Sequence, residues 1–173
     1  MRSLALMLAL LTPVAATAGT QIVGSITPQE ARTIVSIAGQ VDTLWNARKA
    51  AEIAALYAPD ATLEMVDRKT GAQGRQDILE YFARSFATLD PAMRHRTGID
   101  RITVLAPDVV VANGHAWLER ASGDAAPTPV RFFNTTTVVV RGAEGWRIRM
   151  IRTHDAPLEQ GLVVASKRTV AGS

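Results

Sequence analysis

Residues 50–66, Ala50-Ala51-Glu52-Ile53-Ala54-Ala55-Leu56-Tyr57-Ala58-Pro59-Asp60-Ala61-Thr62-Leu63-Glu64-Met65-Val66, pass from helical to strand patterning within a few residues. Ile53, Leu56 and Tyr57 keep the spacing of one helical face, which predicts a helix over Ala50 to Tyr57. Pro59 ends it, because proline has no N–H and disfavours a helical residue before it. Ala61 to Val66 then predicts a short strand. Upstream, Thr27-Pro28-Gln29-Glu30 has the makings of a helix start: an N-cap, a proline at the first position and a glutamate closing a capping box. Ala31, Ile34, Val35, Ala38, Val41, Leu44 and Trp45 continue one apolar face until Asn46 to Lys49 interrupts it. Downstream, Arg68 to Gly74 predicts a polar loop. A third helix is expected from Arg75 to Thr88, burying Ile78, Phe82 and Phe86.

Beyond Asp90-Pro91 the pattern becomes that of strands. Arg94 to Leu105 and Val109 to Arg120 flank a turn at Ala106-Pro107-Asp108. Ser122 to Pro129 is expected as a connection. Arg131 to Arg141 and Trp146 to His154 then flank Gly142-Ala143-Glu144-Gly145. Helices first and an antiparallel meander after them define an α+β class, with three N-terminal helices on one face of a curved antiparallel sheet.

The chain of 173 residues suits one domain. Hydrophobic residues at 47% and charged residues at 20% exclude a disordered chain. The absence of cysteine excludes disulfides, thiolate metal sites, a Cys nucleophile and a lipoprotein anchor. A net charge of +3 gives no electrostatic case for nucleic-acid binding, and the arginines of the last strands lack an aromatic stacking platform. Met1-Arg2-Ser3, the apolar run Leu4 to Leu11 and Ala16-Thr17-Ala18 have the layout of an export signal over residues 1–18. The alternative, a membrane anchor, is short of the roughly 20 apolar residues a span needs. The expectation is a periplasmic or secreted protein with no stable membrane anchor. Its lead-in covers 19–27, its domain 28–156 and its C-terminal tail 157–173.

Three segments carry a family resemblance. Glu52 to Leu63 resembles the second helix and first strand of the nuclear-transport-factor-2-like superfamily. Gly74-Arg75-Gln76-Asp77-Ile78-Leu79-Glu80-Tyr81-Phe82 is similar to the start of its third helix, and Gly145-Trp146-Arg147-Ile148 to its last strand. With the element order, the resemblance covers about 28–156 and is nearest the SnoaL-like and SgcJ/EcaC-type branches. It implies a cystatin-like cone, a bent sheet around three helices with a pocket at the open end, and a homodimer across the sheet. It says little about function, since such folds host isomerases, cyclases, dehydratases, binders and assembly modules. The tyrosine, base and second acid of the ketosteroid isomerases fall on Val41, Met65 and near Thr136, so that acid–base set is missing.

Strand alternation suggests which side chains face a pocket. Arg131 and Arg141 mark one face of their strand as outward, placing Phe132, Asn134 and Thr136 inward. By the same criterion Ile148, Arg152 and His154 face inward on the last strand. Strand 109–119 is apolar on both faces, as though covered twice, and a subunit interface would supply the second cover. The expected ligand site is Tyr57, Met65, Phe82, Trp117, Asn134, Thr136 and Arg152, a mostly apolar lining with a few polar groups. An inward Arg152 calls for an anionic or carbonyl partner, whereas a snorkelling Arg152 would face water. Asp67 and His115 are weak catalytic candidates. The polarity of its loop favours Asp67 as a solvated residue, and the two-sided apolarity of its strand favours His115 as a core or interface histidine. His95, between two arginines and without a second ligand nearby, gives no metal site. No metal and no cofactor are expected.

Two functions follow from these residues. One is a small-molecule-binding cone protein, working as an isomerase, cyclase or dehydratase on an apolar ligand with a carbonyl or acidic group. The alternative is a non-catalytic association module.

Overall fold

The computed structural model describes residues 20–123 and 125–160. The expected export signal and most of the C-terminal tail lie outside the described residues. The elements are β1 (Gln21–Val23), α1 (Pro28–Asn46), α2 (Ala50–Ala54), β2 (Tyr57–Met65), a 3-10 turn (Val66–Arg68), β3 (Thr70–Gln73), α3 (Arg75–Thr88), β4 (Met93–Ala106), β5 (Val109–Ser122), β6 (Ala125–Gly142) and β7 (Gly145–Ala156).

Helix α1 starts as its sequence dictates. Thr27 Oγ1 accepts from the Glu30 N–H, and Glu30 Oε2 accepts from the Thr27 N–H, both at 3.2 Å. The chain leaves α1 through Arg48, which takes a positive φ of 59°. The Arg48 guanidinium holds that turn, donating to the carbonyls of Asp90 and Met93 and stacking 4.6 Å from the Trp45 ring. Burial favours its uncharged form and lowers its pKa.

The strands form one seven-stranded sheet in the order β1-β4-β5-β6-β7-β2-β3. It is mixed, which corrects the all-antiparallel expectation: β1 runs parallel to β4, and β2 parallel to β7. Two of the strands come from residues read as irregular. The lead-in contributes β1, with Ile22 opposite Ile102, so the sheet begins ahead of the expected domain. The polar loop contributes β3, whose Gly71 lies opposite Glu64 of β2. It also contributes the 3-10 turn, so four helical segments precede β4 instead of three. Pro59 sits inside β2, not at a helix end. The pairing of β2 with β7 jumps from Tyr57 to Thr62, and that interruption is where a residue without an N–H is tolerated.

The core lies between α1, α2, α3 and one face of the sheet. Ile34, Ile53, Ile78, Ile102 and Val110 are at most 1% exposed. Strand β5 presents small residues to this side, Ala112, Gly114 and Ala116. Gly114 is required there, because a Cβ at that position would stand 2.0 Å from the carbonyl oxygen of Gly98 on β4.

Facing on β6 is the reverse of the alternation argument. Phe133, Thr135, Thr137 and Val139 look toward the helices, and Phe132, Asn134 and Thr136 toward the other side. Terminal arginines misled that argument because long stems reach out from inward positions. Arg141 lies across the Trp146 ring at 5.3 Å and bonds Glu30 and the Pro107 carbonyl. On β7 the register shifts between Val138 and Val139, which pair with Met150 and Ile148, so Arg149 is the extra residue of a bulge. Facing therefore changes along β7: Ile148 points inward, then Ile151 and Thr153, while Arg152 and His154 point outward.

Candidate functional site

A cavity of about 300 Å³ opens between the helices and the inner face of the sheet. Its polarity changes along its length. The row of Tyr57, Ile148 and Val139 lines one end, and Ile34, Ile37 and Phe82 of the helices also border the cavity. Thr137, Thr135, Thr153 and Thr97 form a hydroxyl-bearing middle. His95 and Arg131 stand in one cross-strand row at the other end, separated by Leu118. Arg68 reaches the same end from the 3-10 turn after β2.

His95 is held from every side. Its Nδ1 lies 2.8 Å from Asp42 Oδ1. Its backbone N–H donates to Asn46 Oδ1 at 2.8 Å, and its carbonyl accepts from Asn46 Nδ2 at 3.1 Å. Its ring packs 5.3 Å from that of Trp45. Asp42 is fixed as firmly, since Thr97 donates its N–H to Oδ2 at 2.9 Å and its hydroxyl to Oδ1 at 2.7 Å. Three donors on two oxygens suit an ionised carboxylate, which then draws the imidazole proton to Nδ1. Nε2, with no protein partner among the described residues, keeps its lone pair for a ligand in the cavity that His95 lines. The arrangement is that of an oriented base: a carboxylate fixes the tautomer and the second nitrogen accepts a proton.

Ser85, Asn113 and two tyrosines add further polar groups. Tyr57 is 2% exposed, and burial pushes its phenol well above the ordinary value. Burial also raises the Tyr81 phenol, with nearby Arg68 opposing the shift. Neither hydroxyl has a protein partner among the described residues, so both remain neutral donors available to a ligand oxygen. No group of three His, Asp or Glu side chains among the described residues is placed to hold a metal ion.

Of the expected lining, Tyr57, Met65 and Phe82 border this cavity. Trp117, Asn134, Thr136 and Arg152 belong to the opposite face of the sheet. Arg152 Nε donates to Glu64 Oε2 at 2.7 Å, with half of its side chain exposed. Asn134 stands opposite His115 and His154, and Thr136 accepts from Asn113 Nδ2 at 3.1 Å. Of the two catalytic candidates, Asp67 is half-exposed beside His154 and accepts from the Asp155 N–H at 2.8 Å. His115 is 4% exposed, its ring stacked 5.5 Å from both Trp117 and Phe132 and its Nδ1 3.1 Å from Asp100. Neither borders the cavity.

Asp42 and His95 were the pair to find. Asp42 follows Ala38 by four residues and precedes Trp45 by three, so a carboxylate stands within the apolar stripe of α1. A charge there needs a buried partner. His95, flanked by Arg94 and Arg96, gave no such cue, because its ally is 53 residues away in sequence.

A comparison with curated proteins finds no match. Among solved structures, a domain of unknown function with a cystatin-like fold from Nostoc punctiforme is similar at a TM-score of 0.68 and 18% identity, over 85% of this chain and 95% of that one. A putative scytalone dehydratase from Novosphingobium aromaticivorans is similar at 0.64 and 15%, over 75% and 85%. A ketosteroid isomerase-like protein from Erwinia carotovora is similar at 0.59 and 19%, over 76% and 100%. These likenesses establish the cystatin-like α+β fold. The family profile of the SnoaL-like domain matches residues 31–152, spanning α1 through most of β7. The chain belongs to the SnoaL-like domain family, within the nuclear-transport-factor-2-like fold.

Proposed function

We propose that this protein is a small-molecule enzyme of the isomerase or dehydratase kind, in which His95 removes a proton next to a ligand carbonyl. One observation carries the reading: an Asp-oriented histidine on the wall of a mostly apolar cavity. Abstracting a carbon-bound proton leaves negative charge on the carbonyl oxygen. Neutral hydroxyls in a water-poor site stabilise such an oxyanion, and Tyr81, whose phenol feels the charge of Arg68 at the His95 end, supplies one. Protonated His95 can then return the proton to a neighbouring carbon, which isomerises, or to a leaving hydroxyl, which dehydrates. The names of the dehydratase and isomerase-like neighbours agree with this class.

The test needs no knowledge of the natural substrate. In D₂O, exchange of the α-protons of 2-tetralone, followed by NMR, reads out the base directly. The wild type is expected to accelerate exchange, and His95→Gln to lose that acceleration while remaining folded. Exchange undiminished in His95→Gln would overturn the assignment of the base.

The alternative of an association module calls for a cone filled by its own side chains, which a cavity of about 300 Å³ does not favour. Dimerisation is compatible with either reading. Half-buried Val109, Val111, Val138 and Val140 form two cross-strand pairs on the outer face, an apolar patch suited to a second copy of this chain. Light scattering giving only the monomer mass at tens of micromolar, roughly the range where even a weak dimer assembles, would refute this. We also carry forward export with cleavage after Ala18, and a sheet that curves as a cone around the helices. N-terminal sequencing of the secreted or periplasmic protein should begin at Gly19, and retention of Leu4 to Leu11 would exclude cleavage there.

A further inference from the structure

We infer that the cavity takes an amphipathic carboxylate, with its apolar body among the aromatic side chains and its carboxylate between Arg68 and Arg131 beside Phe133. The inference rests on the reading of the cavity as a ligand site. It concerns other residues of the same end as the proton-abstracting pair, and names the substrate class.

The observation is a concentration of positive charge at one end of an otherwise apolar chamber. The guanidinium carbons of Arg68 and Arg131 lie 5.9 and 5.8 Å from the centre of the Phe133 ring. Both side chains border the cavity, so the Phe133 ring and two guanidiniums gather at one end of it. Arg131 has no hydrogen-bond or ion-pair partner among the described residues. Arg68 has one, Asp155, at 3.5 Å, with a third or more of each side chain exposed. A long, solvated pair of that kind contributes little, so a ligand can displace it at small cost. Asp67, the other carboxylate near this turn, is occupied by the Asp155 N–H and His154.

Two guanidiniums, one of them free of a counter-charge, match a planar carboxylate by paired N–H donors. A neutral ligand would leave that recognition unused. The rest of the chamber fixes the other half of the molecule. Trp45, Tyr57, Tyr81 and Phe82 offer ring faces, and a volume of about 300 Å³ admits a body the size of one or two fused rings. His95 shares its cross-strand row with Arg131, two strand spacings away, or about 10 Å between backbones. An acid anchored at the arginines therefore presents its nearer ring atoms to Nε2. That makes the arginines specificity-determining residues for the proposed reaction, and does not make them its base.

Isothermal titration with 2-naphthylacetate and its neutral isostere 2-naphthylacetamide tests this. The acid is expected to bind the wild type about tenfold or more tightly than the amide, the range of a charged hydrogen bond. Arg131→Gln and Arg68→Gln should each reduce that preference and the double variant abolish it, with amide binding unchanged as the control for folding. His95→Gln should leave the preference intact, which separates this inference from the assignment of the base. Equal binding of acid and amide, a preference that survives the double variant, or binding of neither compound would overturn it. Tighter binding of 2-naphthylmethylphosphonate than of the acid would assign the subsite to a tetrahedral oxyanion and overturn the carboxylate.

Discussion

Replacing Asp42 by Asn should silence His95 without unfolding the protein, and the two effects can be sized separately. Asp42 receives three hydrogen bonds, from His95 Nδ1–H, the Thr97 N–H and the Thr97 hydroxyl. An amide of the same shape keeps its oxygen on the Thr97 N–H and turns its NH₂ toward the other two. The Thr97 hydroxyl rotates to accept, and His95 Nδ1 becomes an acceptor, so contacts are reversed more than lost. The expected stability cost is about 1–3 kcal/mol, the range for a compromised hydrogen-bonded site. Against a typical stability of roughly 5–15 kcal/mol this leaves the chain folded.

The chemical cost is larger. Once Nδ1 accepts from the amide, the ring proton moves to Nε2, the nitrogen that faces the ligand. Its lone pair is gone, and with it general-base catalysis, a loss of about 10²- to 10⁴-fold in rate. Three measurements bear on the same variant. Denaturant titration gives the stability change, and ¹⁵N imidazole spectra give the tautomer. Exchange of 2-tetralone α-protons gives the rate. An Asn variant that exchanges within about threefold of wild type, or that still carries its proton on Nδ1, would refute the orienting role of Asp42.

Further expectations concern the fold around the cavity. Gly114→Ala should destabilise by about 1–3 kcal/mol, since the new methyl meets the Gly98 carbonyl and strands β4 and β5 must part; urea unfolding measures it. Burial raises the Tyr57 and Tyr81 phenols above the ordinary 10.0, so above that pH the unfolded chain releases protons that the folded one retains. Stability should therefore fall as pH rises beyond 10.0, and Tyr57→Phe should flatten that alkaline limb in pH-dependent melts. Glu144, whose pKa is lowered by its hydrogen bond to Arg75, contributes in the opposite sense. Its contribution is complete above the usual carboxylate range and is lost as pH falls through its lowered value, so Glu144→Gln should shrink the acid-side loss of stability. Thr27→Ala should cost about 0.5–2 kcal/mol by removing the cap of α1, read as a lower melting temperature.

Local signals were enough for the elements whose stability is local. The capping box at Thr27 and the apolar faces of α1 and α3 depend on residues within a turn or two, and they appear where spacing puts them. Elements that exist by pairing were harder to see. Gln21 to Val23 and Thr70 to Gln73 are polar or short, with no strand signal of their own. They become strands because β4 and β2 offer free edges. The parallel pairing of β2 with β7 brings together segments about 90 residues apart, and no pattern in either one encodes the direction.

The site followed the same division, with one instructive exception. Apolar lining was legible in part: Phe82 follows from the face α3 must bury, and Tyr57 borders the cavity although it opens β2 instead of closing a helix. Residues assigned through strand parity mostly failed, Ile148 ahead of the bulge excepted. Inward positions were inferred from where charge was absent, and arginines at the rim of a cavity break that rule. Arg131 was read as proof of an outward face, yet it borders the chamber because a cavity, unlike a packed core, has an end where a cation can meet a ligand and water at once. One bulged residue, Arg149, then sent Arg152 to the wrong side of the sheet. Asp42 is the case where charge was informative and went unused. A lone carboxylate inside a helix's apolar stripe is too costly to bury without partners, and three donors, one of them the His95 ring, meet it. In a fold that encloses a cavity, a charged residue at a strand end says little about which way it faces, whereas one in the middle of a buried stripe marks the place where the chemistry is held.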